Sequence, residues 1–252
     1  MIKLSVNLNK IALIRNSRPG TYPSVTEHAR ICLAAGADGI TVHPRPDQRH
    51  IRPDDVRDLA ALLRRDYAGI EFNVEGNPFA PAQGSYPGFM SLVEETQPQQ
   101  CTLVPDSDEQ LTSDHGFDLT TSAARLEPVI RRLRDQGMRV SLFMDPDLEQ
   151  IRLAKEVGAD RIELYTGPYA EAWGDPARLA PLHDRYAAAA ALANDIGLGV
   201  NAGHDLNLDN LVRFREMPGL LEVSIGHAFT VDAIAMGMAA ATRAYKAVLG
   251  GA

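Results

Sequence analysis

Cysteine is nearly missing from this chain. Only Cys32 and Cys101 occur in 252 residues. Both lie in apolar-looking segments and neither has zinc-type spacing, so they read as small core residues in a reducing, cytoplasmic setting. A basic balance is missing too. The formal net charge is −8 at pH 7, which argues against nucleic acid as a partner. No apolar run is long enough to span a bilayer, and with a strand expected almost at Met1 no signal peptide is expected. Three motifs are also absent. No Gly-x-Gly-x-x-Gly follows the first strand, where a dinucleotide site would sit. No His-Glu-x-x-His pairs two histidines on a helix for zinc. No Gly-x-Ser-x-Gly supplies a nucleophile elbow.

What is present is an alternation. Short runs rich in Val, Ile and Leu recur at Leu4–Leu8, Gly39–Val42, Ile70–Val74, Cys101–Val104, Val140–Met144, Arg161–Tyr165, Leu198–Asn201 and Leu221–Ile225. Between most of them lie stretches of helical period: Ser24–Ala35, Asp54–Arg65, Ala123–Gln136, Leu148–Val157 and Ala177–Ile196, with Val231–Leu249 last. Buried strands alternating with helices predict a parallel sheet with right-handed crossovers. Eight units in this length predict a (β/α)8 TIM barrel with extra helices, a single domain over residues 1–252. A doubly wound sheet is the alternative, disfavoured by the missing glycine motif. Several expected helices end before glycine (Gly36, Gly137, Gly158, Gly197), with a strand soon after, as in the short bottom loops of a barrel. The segment Gly76–Gly88 is too rich in Pro and Gly for a helix and is expected to be a flap or a partner-contact loop.

A barrel keeps its chemistry at the C-terminal ends of its strands. The second strand runs straight into His43-Pro44-Arg45-Pro46-Asp47-Gln48-Arg49-His50. The prolines stiffen this loop, and two imidazoles beside two guanidiniums suit an anionic substrate that needs proton transfer. The first strand ends in Val6-Asn7-Leu8-Asn9-Lys10, with Arg15 and Arg18 soon after. The seventh delivers Gly203-His204-Asp205 and the eighth Gly226-His227. Glycine there lets a ligand reach backbone N–H groups, as in the usual barrel phosphate site. Glu71 and Glu163 lie inside apolar strands. Each is either an acid–base group whose pKa burial has raised or a structural partner of an arginine. The clustered arginines would repel a metal ion, so none is expected.

The blocks Val6-Asn7-Leu8-Asn9-Lys10-Ile11-Ala12, G-A-D-G-I-T-V-H-P-R-P-D-Q-R-H-I (residues 36–51), L-V-P-D, V-N-A-G-H and S-I-G-H-A occur in order along nearly the whole chain. They resemble the pyridoxine 5′-phosphate synthase family. The resemblance implies a (β/α)8 barrel with added helices, assembled as a homo-octamer, using no metal or organic cofactor. It implies condensation of 3-amino-2-oxopropyl phosphate with 1-deoxy-D-xylulose 5-phosphate to pyridoxine 5′-phosphate, with release of phosphate and water, in vitamin B6 biosynthesis. By resemblance His43 and Glu71 are proton acceptors, His204 is the proton donor and Glu163 stabilises the transition state. Asn7, Arg18, Gly226 and His227 match positions that hold the aminoketone phosphate. Arg45, His50 and Thr112 match positions that hold the deoxyxylulose phosphate. Two departures stand out: many members have Asp-His in place of Asn9-Lys10, a substrate-contacting pair, and glycine in place of Asp205. Other readings are a sugar-phosphate isomerase or aldolase and a non-catalytic phosphate sensor. A Schiff-base aldolase needs a lysine within a barrel strand, and neither Lys10 nor Lys155 lies in an expected one.

Overall fold

The computed structural model describes residues 1–107 and 109–250. Eight parallel strands close into one barrel in chain order: β1 (Lys3–Asn7), β2 (Gly39–Val42), β3 (Glu71–Gly76), β4 (Gln100–Leu103), β5 (Arg139–Met144), β6 (Arg161–Tyr165), β7 (Gly199–Gly203) and β8 (Leu220–Ile225). β8 pairs with β1 through Leu4↔Val223 and Ser5↔Ser224, which completes the closure. Each strand matches its expected run to within about two residues.

The helices wrap the outside: α1 (Asn9–Asn16), α2 (Val25–Ala34), α3 (Pro53–Asp66), α4 (Phe89–Thr96), α5 (Leu119–Asp135), α6 (Leu148–Glu156), α7 (Gly167–Glu171), α8 (Pro176–Asp195), α9 (Leu211–Phe214), α10 (His227–Met236) and α11 (Met238–Val248). Helix starts follow capping chemistry. Ser24, Asp118, Asp147 and Asp175 each accept a backbone N–H of the first turn with their side chain. The final helical stretch, expected as one piece, is two helices. Gly237 breaks it, because its φ of 86° leaves the helical region. Among the described residues no helix is long and apolar enough to cross a membrane.

The shell between strands and helices is apolar and fully buried, with Leu4, Ile40, Val74, Leu142, Ile162 and Val200 on the outward face of the strands. The lumen is different. Side chains alternate along a strand, so every second residue points inward. Those residues are polar: Ser5, Thr41, Asn73, Thr102, Glu163, Asn201 and Glu222 are all buried. They satisfy one another, as burial requires. Ser5 and Thr41 hydroxyls meet at 2.6 Å, and Thr102 donates to Asn73 at 3.1 Å and to Glu163 at 3.4 Å.

The segment 76–88 is folded against its own chain. Gln83 and Tyr86 exchange two backbone hydrogen bonds of 2.8 and 2.9 Å, and Tyr86 is buried. Gln48 and Ser85 side chains exchange hydrogen bonds, and Arg125 covers the Phe79 ring at 4.1 Å. This segment therefore backs the loop that follows β2.

Asp147 accepts from both Glu149 N (2.9 Å) and Gln150 N (3.1 Å) at the start of α6. Asp147→Ala should cost about 1 kcal/mol. In a chain of this size that lowers Tm by about 2–4 °C in a thermal melt.

Candidate active site

At the C-terminal end of the barrel the strands surround a cavity of about 410 Å³. Its wall begins with β1. Asn7, the last residue of β1, accepts the Asn9 backbone N–H at 3.0 Å, and Asn9 in turn accepts the His43 backbone N–H at 2.9 Å. α1 then grips the loop after β2. Asn16 donates to the carbonyls of Gln48, Arg49 and His50, and Arg15, paired with Asp55, donates to His50 O at 3.0 Å. A loop of backbone carbonyls is thus fixed by buried donors, and its side chains are left to face the cavity.

The register sets the height of each group. Gly39 pairs with Glu71, and Val42 with Val74. His43, one residue beyond β2, is therefore level with Glu75 near the end of β3. The two approach to 3.7 Å (Nδ1 to Oε2), while His43 Nε2 lies 3.3 Å from Asp106 Oδ2 on the loop after β4. Glu75 also accepts from Asn7 and Ser224 at 3.4 Å. Glu163 rises from the middle of β6 into the same cavity and is hydrogen-bonded by Thr102. Gly203 on β7 makes room for it, since a Cβ at that position would collide with Glu163 Oε1.

Burial and charge tune these groups. Burial, then the negative charges of Glu163 and Asp106, hold Glu75 well above the usual carboxylate range. Burial pushes Glu163 up to about 7. Burial, then the positive charges of Arg45 and Arg49, hold His43 well below an ordinary histidine, so it is a neutral imidazole at pH 7. His50 is pushed down to about 2 by burial, His43 and Arg45.

The opposite wall carries His204. Its Nε2 meets Thr112 Oγ1 at 2.8 Å and its Nδ1 meets Asp205 Oδ2 at 2.8 Å. That hydrogen bond is the main cause holding Asp205 below the usual carboxylate range, so the Nδ1 side carries the proton. Both residues have positive φ, 84° for His204 and 59° for Asp205. Aspartate tolerates this region better than most residues, and here its side chain gains a partner in return. Gly226 and His227 lie at the edge of the cavity, where α10 begins without a side-chain cap. Its first N–H groups are available to an anion.

Most of the residues singled out from the sequence meet in this cavity: Asn7, Asn9, Lys10, His43, Arg45, His50, Thr112, Glu163, His204, Asp205, Gly226 and His227. Two do not. Arg18 is exposed in the turn after α1 and does not line the cavity. Glu71 stands at the other end of the barrel. It is the first residue of β3, and its carboxylate pairs with Arg139, the first residue of β5. Burial there raises its pKa, but hydrogen bonds with Glu222 and Arg139 outweigh that and leave it lowered. The expectation that Glu71 shares a cavity with His43, Glu163 and His204 is therefore corrected: Glu75 takes that place. Glu71, Asn73 and Glu75 all point inward, so period alone does not separate them. Height does, and the strand extends two residues beyond its expected end. Asp106 was also missed, although Leu103-Val104-Pro105-Asp106 leads straight off a strand. Among the described residues no group of three or more His, Cys, Asp or Glu side chains is placed to hold a metal ion.

A carboxyl that titrates near 7 when folded and near 4.5 when unfolded binds more protons in the folded state between those values. Stability is therefore lost as pH rises from about 4.5 through 7. Glu163→Gln removes that loss. Its stability relative to the unchanged protein should rise between pH 5 and pH 8 by on the order of 3 kcal/mol, read from denaturant melts at both values.

Residues 4–251 match the family described as "Pyridoxal phosphate biosynthesis protein PdxJ". Pyridoxine 5′-phosphate synthase of Xanthomonas campestris pv. campestris is 55% identical over 249 residues, covering 98% of this chain and 96% of the relative. That of Albidiferax ferrireducens is 55% identical over 245 residues, covering 96% and 95%. The tryptophan synthase alpha chain of Legionella pneumophila subsp. pneumophila shares the fold, with a TM-score of 0.66, 15% identity and coverage of 99% and 91%. With a match over nearly its whole length and relatives more than half identical to it, the chain belongs to the PdxJ family of pyridoxal phosphate biosynthesis proteins.

Proposed function

We propose that the chain acts as a pyridoxine 5′-phosphate synthase, joining 3-amino-2-oxopropyl phosphate and 1-deoxy-D-xylulose 5-phosphate to give pyridoxine 5′-phosphate, phosphate and water. The observation that carries the reading is that three kinds of proton-handling group meet in one cavity flanked by two anion sites. His43 is neutral and able to accept a proton. Glu75 and Glu163 hold protons near neutral pH. His204 is oriented by Asp205. Joining an amine to a ketone, losing water and closing a ring requires repeated proton transfers, and several groups of different basicity serve that better than one.

The anion sites differ in kind. Arg45 and His50, on the loop after β2, stand near Thr112 and suit the phosphate of deoxyxylulose phosphate. Gly226 and His227 at the start of α10, with Asn7 beside them, suit the aminoketone phosphate through backbone N–H groups and the helix dipole. His43 serves as a proton acceptor, Glu75 first gives up the proton it holds and accepts one only at a later step, His204 serves as the donor, and Glu163 stabilises charge that develops at the ring-forming centre. Lys10 stands where the family more often has histidine and adds a cation suited to a phosphate or a carbonyl oxygen. An assembly of copies, as a homo-octamer, belongs to the same reading. It is supported by apolar side chains left exposed on neighbouring helices, Leu13 and Ile14 on α1 and Val231 and Ile234 on α10.

Incubating the purified protein with both phosphates should yield pyridoxine 5′-phosphate, detectable by chromatography and absorbance. Failure to form it, with a folded protein, would overturn the reading in favour of a phosphate sensor. Two variants locate the chemistry. Glu75→Gln should lower turnover at least about a hundredfold, the scale of a lost acid–base group. Glu71→Gln should leave turnover within about threefold, because that side chain lies at the far end of the lumen, and should show its effect in the melting curve instead.

A further inference from the structure

We propose that Asp106 is a positioning residue that occupies Arg45 until a substrate phosphate replaces it, and that this exchange strengthens His43 as a base. The proposal takes its substrate from the preceding reading, but the pairing itself rests on geometry.

Asp106 is buried at 7% exposure on the loop that leaves β4. One of its oxygens, Oδ2, faces three groups. Arg45 forms a close ion pair with it, Ser113 Oγ donates to it at 3.0 Å, and His43 Nε2 lies 3.3 Å away. Its own backbone carbonyl accepts from Asn77 at 2.7 Å, so the carboxylate is held from behind. Arg45 is equally buried, at 6% exposure, and among the described residues its Nη1 reaches the carbonyls of Ser107 and Gln110, each at 3.4 Å. A buried guanidinium needs a counter-charge, and before substrate arrives Asp106 supplies it.

A phosphate entering the cavity competes for that guanidinium. Phosphate and carboxylate then stand side by side, and their repulsion is relieved if Asp106 draws more strongly on the proton at His43 Nε2. A stronger acceptor at Nε2 makes the other ring nitrogen, Nδ1, more basic. Nδ1 is the atom that faces Glu75. The charged and titratable groups around His43 are Glu75 from β3, Asp106 from the β4 loop, and Arg45, Arg49 and His50 from its own loop. Of the carboxylates among them, only Asp106 touches both the imidazole and the phosphate-binding arginine. Phosphate binding and proton abstraction are coupled through it.

The test separates binding from turnover. Asp106→Asn and Asp106→Ser both remove the charge, and either one suffices if it folds. Calorimetric titration with inorganic phosphate, and with 1-deoxy-D-xylulose 5-phosphate, should show binding at least about threefold tighter than in the unchanged protein, because the competing carboxylate is gone. Turnover should fall at least about tenfold, because His43 loses its charged acceptor. Asp106→Glu should restore part of the turnover and the ordinary phosphate affinity. Equal or weaker phosphate binding in the neutral variants would overturn the proposal, as would unchanged turnover. If the unchanged protein forms no pyridoxine 5′-phosphate, the functional reading fails, while the inorganic phosphate titration still decides whether Asp106 competes for Arg45.

Discussion

Eight parallel strands closed on themselves leave no free sheet edge, and every second side chain must then share one narrow lumen. In this protein that lumen is polar, which sets the terms for everything at its two ends. Most inward polar groups find a partner within the barrel, while Ser141 Oγ and Gln100 Nε2 have none among the described residues, and for a carboxyl the other outcome is a change in protonation. At the lower end the carboxylate of Glu71 meets Glu222 and Arg139, and hydrogen bonds with both hold its pKa down against burial. At the upper end Glu75 takes hydrogen bonds from Asn7 and Ser224 and Glu163 from Thr102, and burial favours the neutral form of both carboxyls. The nearest guanidinium does not decide this alone, for Glu222, 3.6 Å from Arg161, is held well above the usual carboxylate range by burial and then by Glu71.

The barrel itself was legible in the sequence, because a buried parallel strand is a continuous apolar run and a helix shows its period. Strand boundaries were less so. Ile70–Val74 and Glu71–Gly76 differ by one residue at the start and two at the end, and that difference puts Glu75 rather than Glu71 at the cavity. The barrel rule that chemistry lies at the C-terminal end already favoured the later glutamate. The polar loop after β2 was legible as a site, since two imidazoles and two guanidiniums in a loop stiffened by Pro44 and Pro46 do not read as core. Asp106 was not, because its meaning depends on partners about sixty residues away, and nothing in the local pattern shows that the β2 and β4 loops converge. Arg18 shows the reverse: its resemblance to a binding position is local, while its place in the turn after α1 leaves it outside the cavity.

The departures from the common family pattern have physical roles in the structure. Asn9 acts through its side-chain oxygen, which holds the backbone of His43, a task that aspartate performs equally well. Asp205 sits at a φ that glycine adopts without cost, and it offsets the conformational penalty by accepting a hydrogen bond from His204. The substitution therefore exchanges backbone freedom for a fixed imidazole tautomer.

His50 has a consequence of its own. Its Nδ1 is the acceptor for the Ile51 backbone N–H at 2.9 Å, which leaves the single ring proton on Nε2. Burial and neighbouring cations keep the ring uncharged far into acid. The imidazole can then offer a phosphate direction without contributing charge, and the permanent charge on that side comes from guanidinium groups that do not titrate near neutrality. Between pH 6 and 8 the His50 ring and its guanidinium neighbours keep one charge, while Glu163 in the same cavity titrates at about 7. Acidity dependence of phosphate capture there therefore has two sources, that carboxyl and the guest, whose second ionisation falls at about 6.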